Sequence, residues 1–261
     1  MKVGLVITNH CSQRLRPYGR DLLNNALNSF VKFANFDYEI IIVDNQSDNK
    51  IEFSNSDKIS YIYIENQMKK GLTGAWNTGI KEASRLGCDI ILNSNDDLIF
   101  NESINKFVEH IKNCEFSDVS VYGPLTNGVN PPYLETQHSD DTNPSMTREV
   151  KSKSKSEPLI NGFFFGFTNN LYKKFMYPDG DLFAEFDKFD KTYILEHAYA
   201  DGKWGGQEGE FLRWQGLGGK VFVVGDCWIN HLKKKDWYKA RRLAGEFGWH
   251  IKEGYQKWKK Y

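Results

Sequence analysis

The chain reads as an α/β protein, a single domain with a mostly parallel central sheet flanked by helices. Two observations predict this. Short apolar runs rich in Ile, Val and Tyr alternate with amphipathic stretches through the first half, and clusters of acidic and amide residues follow several of those runs. Strand–helix–strand order implies crossover connections, so that neighbouring strands run parallel and both sheet faces are covered. Ligands of such sheets sit beyond the carboxyl ends of the strands.

Residues 3–7, 40–43, 59–64, 90–92 and 119–122 have strand length and composition. Helical patterns lie between them at 19–34, 74–86 and 102–114; in the last, Ile104, Phe107, Val108 and Ile111 recur at i, i+3, i+4 and i+7. Residues 127–158 break the alternation with Pro131, Pro132, Pro144, Pro158 and a Lys/Ser run, and are expected to form a flexible loop. Order returns with the aromatic strand Asn161-Gly162-Phe163-Phe164-Phe165-Gly166-Phe167, a Trp204-Gly205-Gly206-Gln207-Glu208 stretch, a strand at 221–224, and His231. The phenylalanines suit a buried core or a surface that stacks on a ring. This divides the chain into 1–126, the loop at 127–158, a second ordered part at 159–235 and a C-terminal segment at 236–261.

Lys+Arg and Asp+Glu both number 34 in 261 residues, a balance that argues against a dedicated nucleic-acid binder. The charge is unevenly placed, because residues 231–261 carry ten basic and three acidic side chains. With Trp237, Tyr238, Phe247, Trp249, Tyr255 and Trp258 among them, that segment suits a basic aromatic helix, packed on the sheet or in peripheral contact with a membrane surface. Cys11, Cys88, Cys114 and Cys227 form no Cys-x-x-Cys pair, which favours free thiols over a disulfide frame or zinc site. The first apolar run is too short for a signal peptide or membrane span, so a cytoplasmic protein is expected.

The chemistry concentrates at Asn95-Asp96-Asp97, directly after the 90–92 run. Adjacent carboxylates at a strand end repel one another unless a cation intervenes, and a hard divalent ion such as Mn²⁺ or Mg²⁺ suits their oxygens. A solvated turn leading to a helix start at Asn101-Glu102-Ser103-Ile104 is the alternative. After the first strand comes Thr8-Asn9-His10-Cys11-Ser12, with no Gly-x-Gly-x-x-Gly, and no P-loop occurs anywhere. A nucleotide bound here would depend on a metal rather than on a glycine-rich backbone cradle.

Four segments occur in the order found in one family: strand-Thr8-Asn9, strand-Asp44-Asn45-Gln46-Ser47-Asp48, Asn66 leading to Gly71-Leu72-Thr73-Gly74-Ala75-Trp76-Asn77-Thr78-Gly79, and strand-Asn95-Asp96-Asp97. Together they resemble the nucleotide-binding half of a GT-A-fold glycosyltransferase of family 2. The resemblance implies that Thr8, Asn9, Asp44 and Asn45 contact the nucleoside, Asp96 the ribose side, and Asp97 a Mn²⁺ or Mg²⁺ ion. Trp204-Gly205-Gly206-Gln207-Glu208 is similar to the Trp-Gly-Gly-Glu-Asp motif of inverting sugar transferases, implying Glu208 as general base and Trp204 and Gly206 at the sugar. His231 matches a histidine that completes the metal or diphosphate site. Three positions depart from the family pattern: Asn95 replaces a common Asp, Trp76 stands where Arg is frequent, and Gln207-Glu208 replaces Glu-Asp, with Glu210 a rival base.

The implied activity is metal-dependent transfer of a sugar from a nucleoside diphosphate, a UDP-sugar in the first instance, to a hydroxyl of a glycan or glycoconjugate. Two alternatives remain at this stage. A sugar-nucleotide pyrophosphorylase would want a glycine-rich basic loop after the first strand, which residues 8–16 lack. A non-catalytic sugar-nucleotide or carbohydrate-binding module would keep the pocket without turnover.

Overall fold

The computed structural model describes residues 1–11, 16–50, 58–64, 71–113, 118–129, 134–151, 159–183 and 206–232. In the first half the elements are β1 (Val3–Asn9), α1 (Gly19–Phe33), β2 (Tyr38–Asn45), β3 (Ile59–Ile64), α2 (Gly71–Arg85), β4 (Ile90–Asn95), β5 (Leu98–Ile99), α3 (Ile104–Lys112) and β6 (Ser120–Leu125). There follow α4 (Leu134–Gln137), a 3₁₀ turn at Pro144–Met146, β7 (Arg148–Glu149), β8 (Phe164–Thr168), α5 (Asn169–Phe175), α6 (Gly206–Gly216), β9 (Lys220–Trp228) and β10 (Asn230–His231).

Eight strands form one sheet in the order β3-β2-β1-β4-β8-β6-β9-β7, and β10 pairs with β5 in a separate ladder. β3, β2, β1 and β4 are mutually parallel. β8 runs antiparallel to β4 and β6, β9 runs parallel to β6, and β7 opposes β9. Six of the eight strands therefore point one way, which is the mostly parallel sheet the sequence predicts.

Both sheet faces are covered, so the central strands bury alternate residues in opposite directions. On one face Leu5, Ile7, Ile42 and Leu92 meet Leu23, Ala26, Leu27 and Phe30 of α1 and Ile104, Phe107, Val108 and Ile111 of α3. On the other, Val6, Val43, Ile91, Phe165 and Phe167 meet Ala75, Trp76 and Ile80 of α2 together with Phe211 and Trp214 of α6. Each such side chain, fully buried, contributes roughly 1.5–3 kcal/mol. The phenylalanines of β8 are thereby core residues. Trp76 is core as well, set edge-on to Phe165 and Phe183.

Within 127–158, expected as loop, the described residues build short elements. β7 pairs with β9 through Arg148 and Glu149. Gln137 is buried, donating to Pro124 O and accepting from Asn161 N. Elements of two to four residues are too short to show an apolar period, so the sequence pattern misses them. The 236–261 segment lies outside the described residues. No described helix is long and apolar enough to cross a membrane.

One irregularity shapes the ligand edge. β6 and β9 keep register from Ser120↔Lys220 to Pro124↔Val224, then shift so that Leu125 faces Trp228. At the shift Gly225 passes so close to Asn143 that a Cβ would lie 2.0 Å from its carbonyl oxygen. The displaced chain leaves the large sheet at Ile229, whose N–H donates to Leu125 O, and then runs alongside β5.

Candidate active site

The parallel registers put the ends of three strands level. Thr8 lies opposite Val43 and Asn95, and Asn9 opposite Asp44. This lines up Thr8, Asn9, Asp44, Asn45, Asn95 and Asp96 along one edge of the sheet. β5 then turns the chain after Asp97, and its antiparallel pairing with β10 sets His231 opposite Leu98. Residues 134 positions apart in sequence meet as a result: His231 Nε2 lies 3.5 Å from Asp97 Oδ1. The convergence of Asp97 and His231 is thus built from main-chain pairing.

Two arginines organise the carboxylates. Arg16 grips both oxygens of Asp96 with a bidentate fork, its Nη1 at 2.5 Å from Oδ2. Asn9 Nδ2 donates to the same Oδ2 at 2.5 Å and to Gly19 O at 2.9 Å. Arg20 donates to Asn9 Oδ1, to Asp44 Oδ2 at 3.0 Å and to Asn49 O. Asp44 is fully buried and accepts also from Ser47 N at 3.0 Å and Tyr61 Oη at 2.8 Å. Its carboxylate has a holding role here, and a direct base contact would require it to exchange one of these partners. Thr8 is buried beside the network. Asn45 is half-buried, and its carbonyl accepts from His10 Nδ1 at 2.8 Å. Gln46, next in the turn, holds a left-handed backbone with φ of 55°, a conformation that costs a non-glycine residue about 1 kcal/mol and recurs at ligand sites.

Neither Arg16 nor Arg20 belongs to a motif that marks it in the sequence. Their one sequence signal is position: both lie between the end of the first strand and the apolar face of the first helix.

The adjacent carboxylates respond differently to burial. For Asp97, burial opposes ionisation, but His231 and the Arg16 charge outweigh it and hold the carboxyl below its usual range. For Asp96, burial wins against Arg16, and the Asp97 charge adds to it, so its carboxyl lies above the usual range.

Unsatisfied atoms mark the same place. Asp97 Oδ1 and Asn95 Oδ1 are buried without a hydrogen-bond partner among the described residues. Buried polar atoms in native proteins are nearly always satisfied, so such a pair points to a missing ligand. Carboxylate oxygen suits Mn²⁺ or Mg²⁺, and an imidazole beside it favours Mn²⁺, the transition ion of the two. Two neighbouring ligands of an octahedral ion at about 2.1 Å lie about 3 Å apart, so the 3.5 Å pair fits such an ion after a small closure. No group of three His, Cys, Asp or Glu side chains gathers around one point among the described residues. A divalent ion here would complete its shell with substrate oxygens and water, as Mg²⁺ commonly does.

On the acceptor side, Gly206 begins α6 and Glu208 lies in its first turn. Nothing is described of the Glu208 side chain, and Trp204 lies outside the described residues. Glu210 is buried, accepting from Tyr177 Oη at 2.7 Å and Arg213 Nε at 2.6 Å, so each of its oxygens is engaged within the fold.

The sequence profile of glycosyl transferase family 2 matches residues 16–176, well over half of the chain. The chain belongs to glycosyl transferase family 2. Solved structures agree on the fold. TarS 1–349 of S. aureus in complex with UDP-GlcNAc superposes with a TM-score of 0.54 at 13% identity, over 99% of this chain and 69% of that one. The galactosyltransferase LgtC in complex with donor and acceptor sugar analogs gives 0.53 at 9% identity, over 98% and 100%. A putative glucose-1-phosphate thymidylyltransferase from Bacillus anthracis gives 0.51 at 12% identity, over 96% and 98%. At these identities the likeness establishes the GT-A fold alone, one that sugar transfer and nucleotidyl transfer share. No protein of curated function matches the chain in sequence. Family membership, and not the fold, makes this family 2 chain a glycosyltransferase that uses a nucleotide sugar.

Proposed function

We propose that this family 2 glycosyltransferase is metal-dependent and inverting, moving a sugar from a UDP-sugar to a hydroxyl of a glycan or glycoconjugate. The observation that carries the reading is the meeting of Asp97 and His231 at the ligand edge of the sheet, where His231 Nε2 faces the buried Asp97 Oδ1, an atom with no hydrogen bond among the described residues. Asp97 and His231 would hold Mn²⁺ or Mg²⁺, which as a Lewis acid supplies charge stabilisation for a departing diphosphate. UDP as the nucleotide draws support from the TarS likeness, whose structure was solved with UDP-GlcNAc.

The remaining residues take roles that their positions support. Thr8, Asn9 and Asn45 frame the nucleoside, with Asp44 fixing Arg20 and the Ser47 turn beneath it. Asp96, gripped by Arg16 and Asn9, faces the ribose side. An acceptor hydroxyl must lose a proton as it attacks the anomeric carbon, which calls for a carboxylate within hydrogen-bond reach. Glu208 is that base: the N-terminus of α6 favours its ionised form, and Glu210 is engaged elsewhere. Trp204 and Gly206 would line the sugar. The halves at 1–126 and 159–235 divide donor and acceptor duties, and residues 127–158 and 236–261 are read as acceptor-side and membrane-proximal segments.

The test is turnover of a UDP-sugar panel with and without Mn²⁺, for the intact protein and for Glu208→Gln. The reading expects metal-dependent turnover that falls at least about a hundredfold in Glu208→Gln while UDP affinity is retained. No turnover of any donor by the intact protein would favour a non-catalytic binding module instead. Full activity in Glu208→Gln would remove Glu208 as the base.

A further inference from the structure

We infer that Asn127 and Gly128 are positioning residues for His231, forming a clamp on the β10 backbone that sets the imidazole opposite Asp97. The inference rests on the reading of Asp97 and His231 as cation ligands. It starts from a short ladder: β10 and β5 share two residue pairs, with Leu232 N donating to Asp97 O at 2.8 Å beside them, and a ladder of this length is marginal by itself. Some other contact must fix a side chain whose placement the site depends on.

Asn127 supplies it with both ends of its amide. Its Oδ1 accepts from His231 N at 3.1 Å, and its Nδ2 donates to Asn230 Oδ1 at 3.0 Å. Successive β10 residues are therefore held by one side chain, beyond the point where β6 and β9 lose register. Gly128 completes the clamp by being small. A Cβ there would lie 2.4 Å from His231 O, 2.6 Å from His231 Cβ and 2.9 Å from its Cγ, so no other residue fits without moving the histidine. The turn is itself anchored: Gly128 N donates to Thr126 Oγ1 at 3.2 Å, and Thr126 pairs through its main chain with Gln137 and Ser139.

The ring needs this help. A metal-binding histidine usually donates its second ring nitrogen to a carboxylate or carbonyl, which fixes the ring. His231 Nδ1 has no such partner among the described residues. Its orientation comes from the clamped backbone and from Phe163, whose ring stacks on the imidazole at 4.9 Å with planes 14° apart.

The test uses the full chain and calorimetric binding of UDP, with and without Mn²⁺, for Asn127→Ala, Gly128→Ala and His231→Ala. The gain in UDP affinity conferred by Mn²⁺ is expected to fall at least tenfold in the two clamp variants, the range seen when ligand-orienting partners are lost. UDP affinity without metal should stay as in the parent. The variants perturb the clamp in different ways, so whichever of them melts as a folded protein decides the matter. A folded clamp variant that keeps the full Mn²⁺ gain, while His231→Ala loses it, overturns the clamp. Equal loss of metal-free affinity overturns it too, by showing general damage to the pocket. If His231→Ala itself keeps the gain, the cation-ligand reading fails, and the clamp fails with it.

Discussion

Arg20 lies in the first turn of α1, where the helix dipole disfavours a cation, yet it is buried and tied to Asn9, Asp44 and Asn49. Its removal leaves Asp44 as a buried carboxylate without its counter-charge. Arg20→Ala should cost about 3 kcal/mol in urea unfolding; a loss below about 1 kcal/mol, the value of an exposed pair, would mean the network is solvent-screened. Asn93 poses the opposite case. Both of its amide atoms are buried in the middle of β4 with no partner among the described residues. Replacing unsatisfied polar atoms with apolar ones is neutral or favourable, so Asn93→Leu should melt no lower than the parent; a clear drop would reveal an interior water that bridges the amide. Residues at strand ends were legible because paired carboxylates there have few other uses. Arg16 and Arg20 were not, since a charge in or near a helix carries no mark of which way it points. Nor can spacing rank Glu208 against Glu210, because of the two partners that engage Glu210 one, Tyr177, is far away in sequence.

Among the elements, α2 reaches furthest. The predicted helix at 74–86 is observed at Gly71–Arg85, three residues longer at its start, because Gly71, Leu72 and Thr73 carry no apolar period to announce it. From this helix Asn77 accepts from Leu182 N and Phe183 N and donates to Phe183 O at 2.6 Å, while Lys81 pairs with the buried Asp181 at 2.5 Å. The family resemblance marks Trp76, before Asn77, as a departure that stands where Arg is frequent. In the structure Trp76 packs the core and Asn77 ties the first half of the chain to the second. Asn77→Ala should therefore raise amide hydrogen exchange at 182 and 183 by about tenfold, the equivalent of roughly 1.4 kcal/mol, and unchanged exchange there would contradict that tie. The path of β9 to β10 was the least legible element. Nothing in residues 220–231 announces a register shift, which depends on how Gly225 packs against Asn143.

At the scale of the molecule, the alternation of strand and helix predicted the sheet because burial on both faces leaves long apolar runs that only parallel crossovers produce. The family 2 match then fixed the class of reaction, which the fold alone leaves open. The described thiols belong to this core. Cys11, Cys88 and Cys227 are buried and free; burial raises all three, Cys88 to about 11, so little thiolate exists near neutrality. A thiol reagent at pH 7.5 should leave these three unmodified in the folded protein and reach them only on unfolding; fast labelling of any of them would show an open core. The account as a whole depends on a cation seated between the acidic turn and β10. A crystal structure of the protein with UDP and Mn²⁺ tests that most directly. It should show an ion about 2.1 Å from Asp97 and His231, bridging them to the diphosphate; a diphosphate bound with no ion there, or with His231 turned away from it, would contradict the account.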